Sequence, residues 1–124
     1  MKDLIIISDF FLEDFIKKQQ PPGGAELNDN VLFEHLESLN IVKAKVHTTD
    51  FPKKEMLAFL KRNKQCTFLL SNFTGFPFEC TVYLMENCRY FIYEHDYKFH
   101  KNRNPITYDN FIVPKNEIVN YNFF

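Results

Sequence analysis

Leu4-Ile5-Ile6-Ile7 is an unbroken apolar run dominated by β-branched residues, and it ends abruptly at Ser8-Asp9. A run without polar alternation suits a strand buried on both faces, the situation of a central strand in a parallel sheet covered by helices. Working outward, Ser8 to Gly24 reads as a loop with one helical turn at Leu12 to Lys17. It closes on Pro21-Pro22-Gly23-Gly24, which ends regular structure and admits positive φ at the glycines. From Ala25 the apolar positions Leu27, Val31, Leu32, Leu36 and Leu39 follow helical spacing. Glu26 and Asp29 fall in the first turns, where the helix dipole favours acids.

Beyond this helix, Val42, Ala44 and Val46 alternate with Lys43 and Lys45, the period-two pattern of a half-exposed strand at or near a sheet edge. Asp50-Phe51-Pro52 supplies a cap and an early proline for a helix through Met56, Leu57 and Leu60 that stops near Asn63. Thr67 to Ser71 reads as a third strand, Phe78 to Asn87 as a third helix and Arg89 to Tyr93 as a fourth strand. Tyr97 to Val113 reads as a loop, and Lys115 to Phe124, after Pro114, as a last helix. Strands alternating with helices predict an α/β fold, a Rossmann-like three-layer domain with a mostly parallel sheet of about four strands in the order 2-1-3-4. Ligands of such sheets bind beyond the carboxyl ends of the strands where the order reverses, here between the first and third. The positions to inspect are Ser8-Asp9, Ser71-Asn72, Glu94-His95-Asp96 and the glycine loop.

Composition narrows the class. The chain has 124 residues, 45% apolar and 25% charged, which suits one globular domain, and its 15 Phe and 6 Tyr supply ample area for a core. A formal net charge of -1 disfavours a nucleic-acid partner, which would call for a phosphate-neutralising surface. Cys66, Cys80 and Cys88 are an odd number without C-x-x-C spacing, so reduced thiols and a cytoplasmic location are expected. The apolar runs are far shorter than the roughly 20 residues of a bilayer-spanning helix. His35, His47, His95 and His100 show no paired i,i+4 spacing, so neither a metal nor a resident cofactor is expected.

Gly23-Gly24 ahead of a helix places small residues where backbone N-H groups are unpaired, an arrangement that can hold a phosphate, although two glycines can equally serve to turn the chain. Glu26 fits a helix cap or an acceptor for sugar hydroxyls. Asp9 fits a loop cap or a hydroxyl acceptor, and Asn72 shares the strand ends with it. His95 stands beyond a strand, where an imidazole can titrate near neutral pH or serve the packing. Lys98, His100, Lys101 and Arg103, like Lys17 and Lys18, read as solvated loop charges that could also offset a phosphate.

The buried strand, Asp9-Phe10-Phe11 and Gly23-Gly24-Ala25-Glu26 opening a helix together resemble the start of family-4-type GT-B glycosyltransferases, whose entry loop often reads Gly-Gly-Ala-Glu. Tyr93-Glu94-His95-Asp96-Tyr97 is similar to the His-Asp pair on their acceptor-side domain. The resemblance covers essentially the whole chain, and the tail resembles short glycosyltransferase-like proteins of the type found in bacteriophage genomes. It implies that Gly23 and Gly24 approach the diphosphate of a nucleotide-sugar donor and that His95 is the catalytic residue, contacting the transferred sugar or its acceptor. It further implies that residues 1–124 form the N-terminal half of a GT-B fold, without the Glu-rich motif that grips the nucleotide. The expected function is hexosyl transfer from a nucleotide-sugar, or the acceptor-side half of such an enzyme, with a homodimer or a separate donor-binding domain as partner. A non-catalytic nucleotide- or sugar-binding module, or a protein-interaction module, is the alternative.

Overall fold

The computed structural model describes residues 2–93, apart from the side chain of Ala25. The expected loop from Tyr97, the terminal helix, His95 and Asp96 lie outside the described residues. Eight elements follow in order: β1 (Leu4–Ser8), α1 (Leu12–Lys17), α2 (Gly24–Ser38), β2 (Val42–His47), α3 (Lys53–Arg62), β3 (Thr67–Leu70), α4 (Phe78–Asn87) and β4 (Arg89–Ile92). The four strands form one sheet in the order β2-β1-β3-β4, and every pairing is parallel. The expected α/β, Rossmann-like topology is therefore present.

β1 is buried along its whole length, with Ile5, Ile6 and Ile7 fully inaccessible. Period-two alternation sends its side chains to both layers. Leu4 and Ile6 join Phe11, Phe33 and Leu69 in a cluster flanked by Leu32 and Leu36 of α2, Ile41, Val42 and Tyr93. On the other face Ile5, Ile7, Phe68 and Leu70 meet the layer of α3 and α4, whose buried side chains are Met56, Leu60, Cys80 and Leu84. Tight turns are made without glycine at positive φ. Asn40, just past the end of α2, takes φ 59°, a left-handed conformation that asparagine tolerates.

Two local patterns differ from their sequence reading. In β2 the register slips between Leu4 and Ile5, which leaves Lys43 as an additional residue. The bulge breaks the simple alternation: Val42 pairs with Leu4 on the α2 face, whereas Ala44 and Val46 pair with Ile5 and Ile7. Lys45 then faces α1 and α2 rather than open water. In α2 the buried seam runs through Asp29 and Phe33 with Leu32 and Leu36 half-buried, while Leu27, Val31 and Leu39 are exposed. Apolar residues lie on more than one side of this helix, so spacing alone leaves its rotation undetermined; Asp29 settles it by bonding to β3's end. Phe33→Ala is expected to cost about 3–5 kcal/mol in chemical denaturation, and Val31→Ser to stay within about 0.5 kcal/mol. The reverse ranking would place the wrong face of α2 in the core.

Candidate functional site

The strand order reverses between β1 and β3, and the chain leaves their carboxyl ends through Ser8-Asp9 and Ser71-Asn72. Asp9 is the hub of this end of the sheet. Its Oδ1 accepts from Thr48 Oγ1 at 2.5 Å and from the Gly75 N-H at 3.0 Å, and its Oδ2 accepts from Thr74 Oγ1 at 2.6 Å. Its own N-H donates to the Asn72 carbonyl at 2.5 Å. One carboxylate thereby fastens the segment after β2 and the segment between β3 and α4 to the end of β1. Gly75 is required for this approach: a Cβ there would lie 2.9 Å from Thr48 Oγ1 and 3.0 Å from Asp9 Oδ1. The loop-capping role open to Asp9 is thus filled by three donors from the chain itself.

On one side of the crevice stands α2, whose N-terminus has no side-chain cap: Gly23 precedes it with φ -81° and ψ 172°. The glycine loop works without positive φ. A Cβ on Gly24 would meet nothing within 4 Å, so space lies open beside the first helical residue, whereas a Cβ on Gly23 would stand 2.7 Å from Glu26 Oε2. Glu26 is therefore folded back towards the start of the helix, where a carboxylate complements the dipole. An incoming anion would have to displace it.

On the other side, Asn72 is only 9% exposed, and its side-chain amide has no hydrogen-bond partner among the described residues. Its amide atoms are not among the buried unpartnered ones, so they reach solvent at the end of β3 and stand open to water or a ligand. Ser71, fully buried, donates its hydroxyl to Asp29 Oδ2, an acid 2% exposed in the second turn of α2. From its place in the first turns of the helix, Asp29 reads as a dipole acid. What that reading misses is legible only as a weak signal, an acid at i-4 from a core phenylalanine.

A second polar cluster docks α1 against the edge strand. His47 Nε2 lies 2.8 Å from Asp14 Oδ2 and its Nδ1 3.4 Å from Asp50 Oδ1, with the ring set edge-on to Phe11 at 4.9 Å. The Phe11 N-H also donates to Asp14 Oδ2 at 2.7 Å. Lys45 Nζ pairs with Glu13 at 2.8 Å and Glu37 at 3.3 Å while lying 5.0 Å above the Phe11 ring. Burial works against ionising Asp14, but the Phe11 N-H and His47 outweigh it and hold its carboxyl below the usual value. The hydrogen bond from Lys45 does the same for Glu13. Among the described residues no group of His, Cys, Asp and Glu is arranged to hold a metal ion. Cys66, Cys80 and Cys88 are free thiols, and burial pushes Cys80 up to about 11, which leaves it protonated and unreactive near neutral pH. No described helix is long and apolar enough to cross a membrane.

Of the sequence-derived site residues, Asp9, Gly23, Gly24, Glu26 and Asn72 all belong to the carboxyl-end loops of β1 and β3 or to the start of α2. His95 lies outside the described residues. Comparisons of the chain with protein-family models, curated proteins and solved structures return no match.

Two outcomes follow from the geometry. Gly75→Ala, which crowds Thr48 and Asp9, is expected to lower stability by about 1–3 kcal/mol in urea, the scale of a buried hydrogen bond disturbed. A stability equal to wild type would mean that the loop opens without loss. The acidic limb concerns α1. Glu13 and Asp14 sit below ordinary values of 4.5 and 3.8, so the unfolded chain takes up protons first. Their contribution is complete above those values and is lost as pH falls through the lower folded ones. Tm is expected to drop between about pH 5 and pH 3, and less steeply in Asp14→Asn; equal slopes in the two proteins would remove Asp14 from the account.

Proposed function

We propose that this domain is the acceptor-side half of a GT-B-type glycosyltransferase and that it holds a nucleotide-linked sugar in the crevice between β1 and β3. The observations that carry the reading are the Asn72 amide, without a hydrogen bond among the described residues, at the point where strand order reverses, and the uncapped N-terminus of a 15-residue helix that follows β1. Free N-H groups and the positive end of the dipole suit a diphosphate, and an amide with both donors and an acceptor suits a sugar or ribose hydroxyl. The Gly23-Gly24-Ala25-Glu26 and His95-Asp96 resemblances supply the reaction class. With Asp9 occupied by Thr48, Thr74 and Gly75, the described residues favour binding over proton transfer. Catalysis under this reading therefore rests on His95, and a non-catalytic nucleotide-sugar-binding module is the second reading.

The test is a calorimetric titration of the chain with uridine- and guanosine-diphosphate hexoses. Saturable binding is expected. Gly24→Leu should weaken it at least about tenfold, the equivalent of one charge-assisted hydrogen bond, and because space beside Gly24 is open the fold should be unaffected. Glu26→Gln should bind a few-fold tighter while losing about 0.3–1 kcal/mol of stability, since the carboxylate that opposes a phosphate also complements the dipole. A folded chain that binds none of the panel sinks the proposal. Binding without sugar transfer, in wild type as in His95→Ala, would select the second reading.

A further inference from the structure

Asp29 is an acid that the packing of α2 does not explain. It lies 2% exposed in the layer where Phe33, one turn on, and the half-buried Leu32 and Leu36 already supply the apolar contact with β1 and β3. Carboxylates are almost never buried so deeply unless they are paired. An apolar residue of similar volume at such a position is often as stable or more so, which makes a buried acid weak evidence for a role in stability. What the acid adds is direction. The Ser71 hydroxyl donates to Asp29 Oδ2, and Ser71 directly follows β3 and directly precedes Asn72. Asp29 itself lies five residues after Gly24, in the turn behind the open helix start.

We infer that Asp29 is the positioning residue of the crevice: through Ser71 it fixes the N-terminus of α2 relative to the Asn72 amide, so that one ligand can meet both. An apolar contact tolerates sliding and rotation of a helix over a sheet, whereas a hydrogen bond between buried groups admits only a few tenths of an ångström. The bond is buried and joins an element on each side of the crevice, α2 and the end of β3. The effect on ligand affinity rests on the nucleotide-sugar reading above; the effect on the helix start does not.

Three variants of the full chain separate direction from packing: Ser71→Ala and Asp29→Leu remove the bond, and Asp29→Asn keeps an acceptor for the Ser71 hydroxyl. Folding is verified by circular dichroism, and two quantities are read on the folded protein. The first is the affinity for whichever nucleotide-sugar wild type binds, expected to fall at least about tenfold in Ser71→Ala and Asp29→Leu and to stay within about threefold of wild type in Asp29→Asn. The second, made without ligand, is amide hydrogen exchange, expected to quicken at least about tenfold at Leu27 and Asn28 in Ser71→Ala with α3 unchanged. Folded Ser71→Ala with wild-type exchange at these amides overturns the inference, as does an Asp29→Asn that loses as much affinity as Asp29→Leu. Should Asp29→Leu fail to fold, Ser71→Ala decides. Should wild type bind no nucleotide-sugar, the functional reading falls and exchange alone decides this one.

Discussion

A strand with no wet side obliges the rest of the chain to cover it twice, and β1 is such a strand. Ile5, Ile6 and Ile7 are all inaccessible to solvent, so one layer of helix cannot suffice. Burying each of these side chains is worth roughly 1.5–3 kcal/mol, and that gain is realised only if α2 closes one face while α3 and α4 close the other. Parallel neighbours on both edges follow from the same demand, because each crossover returns the chain over a face of the sheet. The order β2-β1-β3-β4 is what remains when the first strand must sit inside.

That arrangement creates a difficulty at the carboxyl end, where β1 and β3 send their connections to opposite layers and leave a gap between them. The chain meets it with polar groups as well as with the buried rings of Phe73 and Phe76. Asp9 binds Thr48, Thr74 and Gly75, so the loops on either side are held by one carboxylate at the head of the most deeply buried strand. Asp29 and Ser71 join helix to strand lower down. Between them the Asn72 amide makes no hydrogen bond among the described residues, and the start of α2 has no side-chain cap, only the folded-back Glu26 carboxylate near Gly23. A frame whose polar groups are mostly spent on each other, with a few held in place and unspent, is the form expected of a preorganised binding site.

The edge at β2 is handled differently. An exposed edge strand carrying two lysines reads as solvent-facing, yet the bulge at Lys43 turns Lys45 and His47 towards α1 and α2. Phe11 provides a ring for both, and Glu13, Asp14 and Glu37 provide the opposite charges. Such half-exposed pairs contribute little each, on the order of 0–1 kcal/mol. Their collective effect is to dock a helix of six residues that has no buried residue of its own and is too short to be stable alone.

Strand and helix identity was legible in the sequence because periodicity and breakers act locally: the run Leu4–Ile7, the proline before α3, and the turn at Leu12 to Lys17 each carry their own signal. Strand order was legible too, since a parallel sheet with an apolar first strand has few right-handed solutions. The location of the candidate site followed from that order, and Asp9, Gly24 and Asn72 fall where it directs attention. The rotation of α2, the bulge in β2 and the pairings of Asp9, Asp29 and His47 were not legible. Each depends on at least one partner between 33 and 66 residues away in sequence, as with Asp14 to His47 and Asp9 to Gly75. A side chain's spacing within its own element says which faces it can occupy; only the partner across the layer says which it does. The sequence by itself determined the layers and their order through local apolar pattern, and the tertiary structure decided which polar groups at the strand ends hold the frame and which are left without a bond among the described residues.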